Sequence, residues 1–70
     1  MDTNMDIADE LLVLVNRGDI GDYNRVAQIM DILYNRKKLK GNDFPALEAG
    51  QEYVRKMQAL LDQQEQRQNQ

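Results

Sequence analysis

From Tyr23 to Tyr34 the chain sets Tyr23, Val26, Ala27, Met30, Leu33 and Tyr34 at intervals of three and four, with Ile29 at the edge of the stripe. That spacing places the apolar side chains on one face of a helix but on both faces of a strand, so it selects the helix. A helix apolar on one face has to bury that face against another element. Asp22, after Gly21, is the expected N-cap, and the helix is expected to span about 22–39 and close before Gly41.

Two further stripes supply the packing partners. Ile7, Ala8, Leu11, Leu12, Leu14 and Val15 cover about half of a helical wheel over roughly residues 5–17. Asp6, Asp9 and Glu10 suit the start of that helix, Arg17 its last turn, and Gly18 its stop. The run "LLVLV" would pass for a strand in isolation, but the chain offers no pairing partner for one. The third helix is expected over about 45–62, with Asp43 or Phe44 as its cap and Pro45 in its first turn. Its stripe is Ala46, Leu47, Tyr53, Val54, Met57, Leu60 and Leu61. Gly50 falls in that stripe, where close approach of a neighbouring helix is expected rather than a kink.

Short connections near 18–21 and 39–44 imply antiparallel neighbours. The expected fold is all-α, a small up-down-up three-helix bundle forming one domain over 1–62. Beyond Leu61 the stripe fails in "DQQEQRQNQ", and residues 63–70 read as a Gln-rich polar tail, either frayed into solvent or a helix that projects past the body and pairs with a partner. The near-repeat of "LVNRG" and "LYNRK" reflects shared helix-end chemistry over only five residues.

At 70 residues the chain is close to the lower limit for independent folding. It has no cysteine, hence no disulfide or thiolate metal site to staple it. Small unstapled cores often gain stability from a second copy or a partner. Histidine, serine and tryptophan are also absent, and Thr3 is the single threonine. Nucleophilic catalysis and zinc binding draw on the residue types that are missing. No enzyme, cofactor or metal is therefore expected. The N-terminus is acidic where a signal peptide is basic, and Leu11–Val15 is far too short to span a bilayer. The chain reads as cytoplasmic, with a net charge of −3.

Four of the nine basic residues lie in "LYNRKKLKGND". Arg36, Lys37, Lys38 and Lys40, with Arg25, would form a phosphate-contacting patch, with Tyr34 available to stack on a base. Helix-end chemistry offers another account, since cations and then a glycine are what a helix C-terminus favours, with Leu33 and Tyr34 turned inward. A helix-turn-helix would send "PALEAGQEYVRK" into the groove, carboxylates first, which argues against that docking. The opposite charge offers a further alternative. Asp2, Asp6, Asp9, Glu10, Asp19 and Asp22 would imitate a row of phosphates and occupy a nucleic-acid-binding protein. Their pattern is not that of a calcium loop.

Two apolar residues fall off their stripes. Val13 projects among Asp6, Asp9, Glu10 and Arg17, and Ile32 lies between Gln28 and the arginines Arg25 and Arg36. An aliphatic ringed by arginine and glutamine suits an interface centre. The leading expectation is a non-enzymatic protein–protein interaction module, a small adaptor or inhibitor that occupies a partner surface through Val13, Arg25, Gln28, Ile32 and Arg36. The partner is another protein, a second copy in a homodimer, or both. The format suits a phage- or plasmid-encoded modulator.

Overall fold

The computed structural model describes residues 5–68, with side chains through residue 64. It is an all-α bundle of three helices, α1 (Ile7–Arg17), α2 (Tyr23–Tyr34) and α3 (Asp43–Gln68), with a 3-10 turn at Ile20–Asp22 joining the first two. No strand occurs among the described residues. Each helix packs against the other two, and the up-down-up topology follows from the short links.

α1 stops where its sequence says it should. Gly18 takes the left-handed conformation at φ +67°, and its N–H is shared between the carbonyls of Leu14 and Val15. A side chain there would meet no steric clash with its surroundings, so the backbone alone favours glycine. The turn into α2 differs from expectation. Asp19, not Asp22, does the side-chain capping, accepting from the Gly21 N–H at 3.0 Å. Asp22 flanks α2 without capping it.

α2 is shorter than its periodicity suggests, ending at Tyr34 rather than near Leu39. Asn35 closes it by donating from Nδ2 to the Asp31 carbonyl at 2.9 Å, the carbonyl its own N–H also reaches. The chain then turns so that Leu39 packs against the core from the loop. The basic residues Arg36, Lys37, Lys38 and Lys40 consequently lie beyond the helix and do not form its last turn. The buried face of α2 is also rotated. Val26, Ile29, Met30 and Leu33 are buried, whereas Ala27 is exposed and Tyr34 is 54% exposed. Contact with α1 on one side draws in Ile29 and turns Tyr34 outward, correcting the expectation of an inward ring.

The core lies along the common axis: Ala8, Leu11 and Leu14 from α1, the four α2 residues, and Ala46, Leu47, Tyr53 and Met57 from α3. Burying a Leu11 or Ile29 side chain is worth about 1.5–3 kcal/mol. Gly50 marks a close contact between α2 and α3. A Cβ built on it would sit 2.8 Å from Met30 Sδ, so the glycine lets α2 and α3 approach as expected. α3 itself is longer than its stripe and runs to Gln68, past the expected end near Asp62. Glutamine, glutamate and arginine are good helix formers, so the helix continues after its apolar period has failed. Met57 is its last core residue. Leu60 and Leu61 continue the same arc past the bundle, 49% and 42% exposed.

Candidate interaction surfaces

Three surfaces emerge, one on each side of the bundle or at its end. The first joins α1 to α2. Arg25 grips Glu10 through two bonds, Nε to Oε2 at 2.8 Å and Nη2 to Oε1 at 2.9 Å, and also reaches Gln28 at 2.9 Å. The hydrogen bond from Arg25 holds the Glu10 carboxyl below its ordinary pKa and raises that of Arg25 in return. Arg36 lies past the end of α2, with Nη1 on Asp43 and Nη2 3.6 Å from Asp6. The arginines expected around Ile32 are therefore engaged within the chain. Ile32 is exposed beside this framework, whereas Val13, also exposed, lines a groove between α1 and α3 with Leu12, Val15, Ala49 and Lys56.

The same bonds account for most of the acidic row. Asp6 and Glu10 pair with arginines, Asp22 lies 3.4 Å from Arg17, and Asp19 caps its turn. Asp9 accepts from Asn42 at 2.8 Å. Asp2 lies outside the described residues. Asp6, Glu10 and Asp22 thus stand beside arginines, whereas Asp9 and Asp19 hold neutral donors and keep their charge.

The second surface is the loop between α2 and α3. Lys37, Lys38 and Lys40 are exposed and form no ion pair among the described residues. Tyr34 precedes them and Phe44, 58% exposed, follows them. Both aromatics face solvent. Beneath this loop Asp43 is buried, taking Arg36 Nη1 at 3.2 Å on both oxygens and the Lys40 N–H at 3.0 Å. Asp43 thus fixes the path of the loop. Its proximity to Pro45 marked a helix start in the sequence, but nothing there revealed Arg36 as its partner.

The third surface is a groove between α2 and α3, lined by Tyr23, Ala27, Met30, Asp31, Tyr34 and Val54. Gln51 donates to the Tyr34 hydroxyl at 2.6 Å and Gln58 to the Tyr23 hydroxyl at 3.3 Å. These bonds span the groove and hold both rings along its edges. Tyr23 also packs on Tyr53, with ring centroids 6.3 Å apart. Periodicity assigned Tyr23, Ala27, Tyr34 and Val54 to the core. The structure leaves Tyr23 and Val54 half-buried at its margin and Ala27 and Tyr34 exposed.

Among the described residues no cluster of acidic side chains is arranged to hold a metal ion, and no helix is long and apolar enough to cross a membrane. Comparison with protein-family models, curated proteins and solved structures gave no match.

Proposed function

We propose that this chain is a non-enzymatic protein-interaction module, an adaptor or inhibitor that acts by occupying a partner surface. The observation that carries the reading is the α2–α3 groove, an open apolar strip with tyrosines along it and one charged lining residue, Asp31. Interface centres are enriched in tyrosine and depleted of lysine and glutamate. The lack of histidine, cysteine and serine leaves no usual nucleophile-and-base pair for a competing enzymatic reading. A cytoplasmic setting and a phage- or plasmid-encoded modulator remain part of this proposal.

The test is affinity capture from the source cells with the wild-type chain, Ala27→Glu and Ile32→Glu, each checked for an unchanged helical spectrum. A partner lost with Ala27→Glu supports the groove, and one lost with Ile32→Glu supports the α1–α2 side. Identical capture by all three chains rejects the reading.

A second reading is single-stranded nucleic-acid binding at the α2–α3 loop. It is favoured by two exposed aromatics flanking three exposed lysines, a combination that suits stacking plus phosphate contact.

A further inference from the structure

We propose that the α2–α3 groove receives a helix of another protein that sets an arginine against Asp31; this rests on the interaction reading above. Asp31 is the one charge lining the groove, among Tyr23, Ala27, Met30, Tyr34 and Val54. Its side chain is exposed and forms no ion pair among the described residues. It also stands in the last turn of α2, where the helix carbonyls add partial negative charge. A second copy packed about a two-fold axis would set this carboxylate against itself. A cation is what the groove lacks.

Tyr34 selects arginine among the cations. It follows Asp31 by three residues, so the two side chains are neighbours on the helix surface. Gln51 donates to the Tyr34 hydroxyl at 2.6 Å and holds the ring on the edge of the groove, 54% exposed. A guanidinium is planar, so it can bond a carboxylate through two N–H groups and lie on an aromatic face at the same time. An ammonium offers only a point charge there.

The rest of the lining sets the form of the partner. No strand occurs among the described residues, so recognition runs through side chains and not by strand addition. Asp31, Ala27 and Tyr23 follow one another at intervals of four on α2, about 6 Å apart along its axis. A helix laid along them carries its arginine at Asp31 and apolar side chains one and two turns away, over Ala27 and between Tyr23 and Val54. Ala27 has the smallest side chain of the row and leaves room for a large one. The charge fixes the register and the apolar turns supply the burial.

The probe is a randomised library of helical peptides displayed on yeast and sorted against the purified chain. Sorted peptides are expected to carry an arginine one turn from a large apolar residue. Their affinity is expected to fall about tenfold with Asp31→Asn, or with citrulline in place of the arginine, the loss of one charge-assisted contact. Tyr34→Leu, which keeps bulk but removes the aromatic face, is expected to weaken binding about threefold. Glu52→Gln removes the same charge from the far side of α3 and is expected to leave affinity unchanged. Sorting against Asp31→Arg is expected to replace the arginine with glutamate or aspartate. Each variant is checked for an unchanged helical spectrum.

The arginine assignment is overturned by a library that yields no binders or binders without a basic residue. Equal weakening by Asp31→Asn and Glu52→Gln overturns it too, since that is general attraction to an acidic chain. If Ala27→Glu still abolishes capture from the source cells, the interaction reading stands and the groove holds a different occupant. If neither peptides nor capture respond to Ala27→Glu, the groove fails in both readings. A light-scattering mass above one chain that Ala27→Glu returns to one gives the groove to another copy and overturns the proposal.

Discussion

Arg36 and Asp43 form the joint on which the α2–α3 loop is built: one guanidinium nitrogen stands 3.2 Å from both carboxylate oxygens of a residue 1% exposed. The Lys40 N–H bonds the same carboxylate. Removing one partner of a fully buried pair costs about 3–5 kcal/mol, but Arg36 is a third exposed and keeps part of its hydration. Asp43→Ala is therefore expected to lower stability by about 2 kcal/mol in urea unfolding. Asp43→Asn retains an acceptor for Lys40 and should lose less. Equal losses would show that the charge carries the whole effect and the acceptor for Lys40 none of it.

Gly50 gives a graded test of helix approach. Alanine gains about 1 kcal/mol of helix propensity over glycine, but its Cβ would push Met30 Sδ from 2.8 Å. Met30 is flexible and borders the open groove, so it has room to swing aside. Gly50→Ala is expected to stay within about 1 kcal/mol of wild type, and Gly50→Leu to lose about 2–3 kcal/mol by overpacking. A large loss with alanine would mean that Met30 cannot move.

Tyr53 ties stability to alkaline pH. Burial raises its phenol pKa, and the carboxylates of Asp22 and Asp19 and the nearby Tyr23 push in the same direction. The folded state thus holds this proton more tightly than the unfolded chain. Its contribution is complete below the unfolded tyrosine pKa of about 10 and is lost as pH rises above it. Tyr53→Phe should flatten that decline relative to wild type. It should also cost about 0.5–1.5 kcal/mol near neutrality, because the hydroxyl donates to the Asp19 carbonyl. Parallel alkaline limbs in the two chains would remove Tyr53 as their source.

Single-strand binding at the loop has a distinct signature. With three lysines on phosphates, affinity for an unstructured oligonucleotide should fall with salt at a log–log slope of about −2. Lys37→Glu with Lys38→Glu should abolish it, and Phe44→Ala should cost about 1–3 kcal/mol of stacking. No anisotropy change at low salt would end this reading.

Much of the fold was legible because local rules and packing agree: Gly18 ends α1, Pro45 opens α3, and Gly50 lies at a close contact. The end of α2 was not legible. Its lysines satisfy helix-end chemistry, yet Asn35 and the Arg36–Asp43 pair, joined across seven residues, draw the chain away after Tyr34. The groove was hidden for a related reason. Tyr23, Ala27 and Tyr34 share a stripe with Met30, and only the placement of α1 decides which edge of that stripe is covered.

The way α3 completes the core also sets when the chain can fold during synthesis. Ala46, Leu47, Tyr53 and Met57 close the interior that α1 and α2 leave open, and Tyr53 reaches back to the turn at Asp19. A nascent chain holding only the first two helices has a half-open interior, and isolated helices of 11 and 12 residues are marginal in water. Assembly on the ribosome must therefore wait until Met57 has cleared the exit, and the three helices then fold together.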